Sequence, residues 1–187
     1  LVYKKAYQRR RVRLASGRES DFYVDCRQVT LTAEGAYKLA RYILGLIRRE
    51  NLSVKAVGGP VVGAVPLAAA VSALSYEEFL RDPDACLFDT FYVRSEPKGH
   101  GTGKQIEGPF PGEGTPVLVL DDVLTTGGSV LKAVSVLREA GYQVKTVLVI
   151  VDRQEGGREN LEREGLEVLS ILTREDLENF QSGLPLP

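Results

Sequence analysis

Asp121 and Asp122 stand side by side where an apolar run, Val117-Leu118-Val119-Leu120, gives out, and Val123-Leu124-Thr125-Thr126-Gly127-Gly128-Ser129 follows them. Two carboxylates cannot hold an anion, but they can accept hydrogen bonds from sugar hydroxyls or draw a metal ion near. The residues after them suit the opposite partner. Gly127 and Gly128 allow close approach of the backbone, and Thr125, Thr126 and Ser129 supply hydroxyl donors. Val130, Val134 and Leu137 recur at helical spacing up to Gly141, so a helix starts here; helix starts attract phosphate through unpaired N–H groups and the dipole. A strand running into a capped helix would explain Ser129 and the glycines, yet it leaves two adjacent carboxylates at a buried strand end without a reason. No Gly-Lys-Ser/Thr follows, which excludes a Walker loop, and the G-x-G-x-x-G spacing of dinucleotide sites is absent. Residues 121–129 are therefore predicted to hold a sugar phosphate.

Such a loop needs a sheet edge to carry it. Continuous apolar runs at residues 117–120 and 147–151 predict parallel strands covered on both faces. Ala36, Leu39, Ala40, Ile43, Leu46 and Ile47 give residues 32–49 one apolar helical face. Residues 54–57 read as a short strand broken by Gly58-Gly59-Pro60, residues 62–74 as a helix that tolerates Pro66 near its start, and residues 87–93 as a strand. Further on, residues 158–164 read as a short helix, 166–172 as a last strand, and 173–180 as a helix capped by Thr173 with Asp176. Upstream, Val12 and Leu14, then residues 22–26, read as short strands around a Ser16-Gly17 turn. Strands alternating with helices predict an α/β fold: one doubly wound, mainly parallel sheet with a small N-terminal extension over residues 1–31. Residues 95–115, with six glycines and three prolines, read as a long mobile loop of the kind that is usually functional.

Composition narrows the function classes. The 187 residues suit a single domain. The net charge of −1 is unevenly spread, with basic residues gathered up to Arg27 and acidic ones after Val151. Arg9, Arg10, Arg11 and Arg13 could suggest nucleic acid, but the alternation of Arg11 and Arg13 with Val12 and Leu14 reads better as a half-buried strand. No apolar run nears the roughly 20 residues of a membrane span, and no signal-peptide pattern opens the chain. Cys26 and Cys86 make neither a disulfide framework nor a zinc site; both read as buried small hydrophobes, in keeping with a reducing cytoplasm. Methionine is absent, so a stretch preceding Leu1 is expected.

The apolar run, paired aspartates, paired threonines, paired glycines and serine resemble the 5-phosphoribosyl-1-diphosphate (PRPP) motif of the type I phosphoribosyltransferases. Three other segments resemble the orotate branch of that family. They are Leu14-Ala15-Ser16-Gly17-Arg18-Glu19-Ser20 with Phe22-Tyr23-Val24-Asp25; Arg94-Ser95-Glu96-Pro97-Lys98-Gly99-His100-Gly101 with Ile106-Glu107-Gly108; and Asp152-Arg153-Gln154-Glu155-Gly156. Four motifs in order are far more specific than any one.

The resemblance implies a single phosphoribosyltransferase domain in which residues 1–31 form a hood and residues 95–115 the mobile catalytic loop. It implies catalytic roles for Lys98, His100 and Asp122. PRPP would be bound by Arg94, Lys98, His100, Asp121, Asp122, Val123, Leu124, Thr125, Thr126, Gly127, Gly128 and Ser129, with the backbone of residues 58–63 approaching the diphosphate. Orotate would meet Thr125, Arg153 and the backbone of Tyr23 and Val24. Mg²⁺ would be held mainly by PRPP and water rather than directly by protein. The implied assembly is a cytoplasmic homodimer with the mobile loop shared between subunits, and with neither nucleic acid nor membrane as a partner. The implied reaction is PRPP plus orotate to orotidine 5′-monophosphate and diphosphate, in pyrimidine biosynthesis. Ser95 departs from a lysine that many members carry; Gly63 and Ala15 replace lysines that only some use. Arg153 has a plainer alternative, pairing with Asp152 or Glu155, and Tyr23 could be ordinary core. Rival readings keep PRPP but change the base to a purine or uracil, or keep the fold as a PRPP-binding regulator of nucleic acid.

Overall fold

The computed structural model describes residues 1–13, 19–97, 104–109 and 112–181. The chain opens with α1 (Val2–Lys5), β1 (Tyr7–Arg13), β2 (Glu19–Val24), α2 (Arg27–Thr30) and α3 (Ala33–Arg49). It continues through β3 (Ala56–Pro60), α4 (Ala64–Arg81), β4 (Asp89–Val93), β5 (Ile106–Glu107), β6 (Pro116–Leu124) and α5 (Gly128–Glu139). β7 (Gln143–Asp152), α6 (Gly157–Arg163), β8 (Glu167–Thr173) and α7 (Arg174–Gln181) complete it. β1 and β2 pair antiparallel as a separate hairpin, and the other six strands form one sheet in the order β5-β4-β3-β6-β7-β8. Only β5 runs antiparallel to its neighbour. The chain builds from β3 outward to β4 on one side, then returns to β6 on the other, so the winding direction reverses between β3 and β6. Open α/β sheets bind ligands at that switch point, outside the carboxyl ends of the strands.

Alternation along the central strands explains how one sheet carries helices on both faces. Leu118, Leu120, Leu148 and Ile150 pack into a cluster with α3, α4, the N-terminal hairpin and Leu177 of α7. Val117, Val119, Val147 and Val149 point the other way, into a cluster with Val130, Val134 and Leu137 of α5 and Leu161 of α6. All eight are almost completely buried, and emptying one such leucine site to alanine typically costs about 2–5 kcal/mol. Thr32 caps α3 by accepting the Gly35 N–H at 3.1 Å. Thr173 and Asp176 cap α7 reciprocally: Thr173 N–H donates to the Asp176 carboxylate at 2.7 Å and Asp176 N–H to Thr173 Oγ1 at 3.1 Å. Among the described residues no helix is long and apolar enough to cross a membrane.

Several boundaries differ from the sequence reading. Gly58, Gly59 and Pro60 lie inside β3 rather than ending it. A side chain at Gly58 would overlap the Phe91 carbonyl, and one at Gly59 the Leu120 carbonyl, so the glycines admit close neighbours to a central strand. Residues 62 and 63 precede α4, which runs seven residues past the expected end at residue 74. β6 continues through Asp121 and Asp122 to Leu124, because its pairing with β7 persists to Leu124↔Asp152. The long loop is not wholly irregular, since Ile106 and Glu107 pair with Val93 and Tyr92. Cys26 is buried as expected, but Cys86 is exposed, on the connector over the surface between α4 and β4. The turn expected at Ser16-Gly17 falls outside the described residues.

Candidate active site

Four strand ends meet at the switch point. β3 leads into Val61, Val62 and Gly63; β4 into Arg94; β6 into residues 125–127; and β7 into residues 153–156. The acid pair lies at the centre. Asp121 is buried, and its Oδ1 accepts the Asp122 N–H at 2.9 Å. Burial, and next the charge of Asp122, push the Asp121 carboxyl up to about 7, against the opposing pull of the Asp122 N–H and a hydrogen bond from Ser129. Asp122 is half-buried and is also raised, by burial first, with the Val123 N–H and the Arg27 guanidinium opposing. Beneath them the Cys26 thiol is pushed up by burial and then by Asp122, Asp25 and Asp121. Acids held this way gain from any group that brings hydrogen-bond donors or positive charge.

Gly63 shapes the same spot from the β3 side. An added Cβ would overlap Asp122 Oδ1 and stand 2.5 Å from Asp121 Oδ1. The absence of a side chain thus lets the start of α4 close directly onto the carboxylates. Any side chain at this position would have to displace them.

The loop after the acids has the form expected of an anion cradle. Gly127 takes φ +82° as the residue before α5, and no side chain caps that helix start. L side chains disfavour this left-handed conformation, which glycine adopts freely. Thr125 is half-buried, and Thr126, Gly128 and Ser129 are exposed. The Asn160 side chain holds the loop from α6 by donating to Thr126 O at 2.9 Å. Val123 and Leu124 serve as strand, with Leu124 buried.

The neighbouring loop carries the cation. Arg153 N–H donates to Leu124 O at 2.9 Å, which ties this loop to the one that follows β6. The guanidinium is buried; Nε donates to Glu155 Oε1 at 3.0 Å, and Nη2 lies 2.8 Å from the same oxygen. Nη2 also donates to Phe22 O of β2 at 3.2 Å, and the guanidinium carbon sits 5.5 Å from the Phe22 ring centre. Of the two acids that the sequence offered Arg153, Glu155 is the partner. Asp152 turns instead to Arg158, whose Nε is 2.9 Å away. Tyr23 is half-buried and Val24 buried, next to the carbonyl that Arg153 grips.

Arg94 lies at the edge of this group, its Nη1 3.8 Å from Glu107 and its N–H bonded to Gln105 O at 2.9 Å. Lys98 and His100 fall outside the described residues. The sequence reading did not single out Arg27, whose charge faces Asp122, nor the contact of Gly63 with the acids. Nothing local signals either, since both are made across the fold.

The phosphoribosyl transferase domain family matches residues 29–182. The orotate phosphoribosyltransferase of Sorangium cellulosum is 45% identical over 183 residues, covering 94% of this chain and 88% of that protein. That of Thermosynechococcus vestitus is 44% identical over 180 residues, covering 96% and 90%. Among solved structures, Mycobacterium tuberculosis orotate phosphoribosyltransferase in complex with PRPP superposes with a TM-score of 0.73 at 34% identity, covering 95% of this chain and 94% of that one.

Proposed function

Because the chain belongs to the phosphoribosyltransferase family, and within it to the orotate phosphoribosyltransferases, we propose that the cleft at the β3–β6 switch point is where it joins PRPP to orotate. The enzyme transfers the 5-phosphoribosyl group to a ring nitrogen of orotate, releasing diphosphate and giving orotidine 5′-monophosphate for pyrimidine biosynthesis. The observation that supports this reading is the acid pair, Asp121 buried and Asp122 half-buried, beside an uncapped helix start and against Gly63. That arrangement suits a ligand with phosphate at one end and hydroxyls in the middle.

Breaking the bond between ribose C1 and diphosphate builds positive charge on the sugar and negative charge on the leaving group. Asp121 and Asp122 accept from the ribose hydroxyls and set negative charge near the forming cation. The N–H groups at the start of α5, with Thr125, Thr126 and Ser129, hold the 5-phosphate, and the backbone of residues 58–63 approaches the diphosphate. Arg94, Lys98 and His100 donate to the departing oxygens; one such donor is typically worth about 3 kcal/mol in the transition state. Among the described residues no three His, Cys, Asp or Glu side chains converge on a metal position. Mg²⁺ would be held mainly by PRPP and water, with Asp121 and Asp122 reaching it only through the ribose hydroxyls and that water. When bound, the ion would neutralise charge on the diphosphate. Arg153 receives the orotate carboxylate, for which a planar guanidinium is better suited than an ammonium, and Thr125 with the Tyr23 and Val24 backbone holds the ring.

One domain performs this, with residues 1–31 as a hood over the base and residues 95–115 as a loop that closes, excludes water and reopens. The unit is a cytoplasmic homodimer whose loops cross between subunits. Initial rates with PRPP, Mg²⁺ and either orotate, uracil or hypoxanthine test the assignment. Turnover with orotate alone is expected, and none with orotate would end this reading. Salt-dependent binding to duplex DNA would favour the regulator instead.

A further inference from the structure

Glu155 has no part in the reaction as described, yet it makes the closest contacts to the one cation assigned to the base. Its Oε1 takes Nε of Arg153 at 3.0 Å and lies 2.8 Å from Nη2. Both side chains are largely withdrawn from water, at 7% and 15% exposure. The local chain is shaped for this contact. Gln154, between the two, sits at φ +54°, a conformation that L residues adopt only when the surroundings impose it. Two hydrogen bonds impose it here: Gln154 N–H donates to Asp152 Oδ1 at 2.9 Å, and its side-chain oxygen accepts the Glu175 N–H at 3.0 Å. Asp152 is in turn fixed by Arg158, and Glu175 belongs to the first turn of α7. The turn that brings Glu155 onto Arg153 is thus pinned from both sides.

We propose that Glu155 is the positioning residue for recognition of the base: its carboxylate holds the Arg153 guanidinium in the cleft, where that guanidinium both grips the Phe22 carbonyl and meets the orotate carboxylate. The inference rests on the reading that Arg153 receives orotate. Two effects oppose each other. The charge of Glu155 repels an incoming anion, but without a counter-charge a buried guanidinium is strongly unfavourable and would turn toward water. Turning out would also release Phe22 O and with it the backbone of Tyr23 and Val24. Holding the arginine ready removes an ordering cost from binding, and it keeps two elements of the base site together. Alignment therefore outweighs repulsion.

Steady-state kinetics of Glu155→Ala, Glu155→Gln and Arg153→Ala test this, with thermal melting run on each. Glu155→Ala should raise KM for orotate by roughly 100-fold and Glu155→Gln, which keeps one acceptor of the same reach, by about tenfold, as expected for losing or weakening hydrogen bonds to a charged group. KM for PRPP should stay within about twofold, which general loosening would not allow. In the double variant Arg153→Ala/Glu155→Gln, KM for orotate should be no worse than in Arg153→Ala alone, because the glutamate acts only through the arginine. If Glu155→Ala fails to fold, Glu155→Gln, matched in size, decides. An unchanged or lower KM for orotate in Glu155→Gln overturns the positioning role when Arg153→Ala still raises it. An unchanged KM in Arg153→Ala overturns instead the reading that Arg153 meets the base.

Discussion

Asp121→Asn separates what the acid pair does for stability from what it does for activity. The asparagine keeps the shape and retains an oxygen that can accept the Asp122 N–H, but it does not ionise. In the native protein the Asp121 carboxyl titrates near 7 rather than 3.8. The sign follows from proton counting. Between those two values the folded state holds a proton that the unfolded state has released, so stability falls as pH rises through this window and levels off above it. At about 1.4 kcal/mol per pH unit, the gap from 3.8 to about 7 is on the order of 4 kcal/mol. For a chain of 187 residues, where each kcal/mol moves Tm by roughly 2–4 °C, that is on the order of 10 °C. Asp122, raised in the same direction by burial, adds to the slope.

Thermal unfolding of parent and variant at a series of pH values from about 4.5 to 8 reads this directly. The two melting points should lie close at the acid end and diverge as pH rises, with Asp121→Asn the more stable at pH 8. The same variant should lose activity at least about 100-fold, because a group aimed at the sugar is gone. PRPP with Mg²⁺, by bringing donors and positive charge to the pair, should raise the melting point of the parent more than that of the variant. Parallel curves, or a variant less stable than the parent at pH 8, would show that the carboxyl is not destabilised in the fold, and the account of the site's electrostatics would fail.

Four further outcomes are expected. Gly127→Ala should cost about 1–2 kcal/mol, from the left-handed backbone and from a Cβ only 3.3 Å from Gly157 O, with a matching rise in the Kd for PRPP by calorimetry. Arg158→Ala strips the buried Asp152 side chain of its guanidinium and frees Val168 O and Ser170 Oγ, so denaturant melts should show a loss of about 3–5 kcal/mol. Lys98→Ala should lower kcat about 100-fold, far more than it weakens PRPP binding, since the charge it meets develops mainly in the transition state. Mixing Lys98→Ala with inactive Asp122→Asn should then restore activity if the loop crosses between subunits. No recovery in demonstrated heterodimers would assign the whole site to one chain.

What the sequence disclosed, and what it hid, divides along the range of the interactions. The apolar face of α3, the Thr173–Asp176 box and the glycine-bearing turn before α5 are local patterns, and each lies where local chemistry put it, whereas the Thr32 cap was seen only in the structure. Strand ends were harder. Gly58-Gly59-Pro60 looked like punctuation because glycine and proline usually end a strand, whereas here Phe91 and Leu120 press so close that glycine is needed to continue one. Asp121 and Asp122 looked like a terminus because carboxylates leave an apolar sheet; the pairing partner on β7, which carries them on to Leu124, is invisible from β6 alone. Arg153 was readable as a cation at a strand end, and its choice of Glu155 over Asp152 was not. Its bond to Phe22 O spans 131 positions, and no periodicity or motif reports a contact of that reach.

The acid pair and the arginine clamp are joined by the sheet itself. β6 and β7 stay in parallel register from Leu118↔Thr146 to Leu124↔Asp152, and the next amide, Arg153 N–H, still donates to Leu124 O. The acids precede that bond on β6 and Arg153 follows it on β7, so one backbone contact sets the separation between the carboxyls and the guanidinium. A free loop could not keep opposite charges at a fixed distance without a ligand; adjacent strands can, because their backbone groups are already satisfied by each other. Neither station is favourable alone, since the carboxyls repel and the guanidinium is buried. The apolar layers beneath, Leu118, Leu120, Leu148 and Ile150 on one face and Val117, Val119, Val147 and Val149 on the other, supply the stability that lets both persist. A core this uniformly apolar directly below a site this charged is the expected form when local rules are broken for function and offset elsewhere.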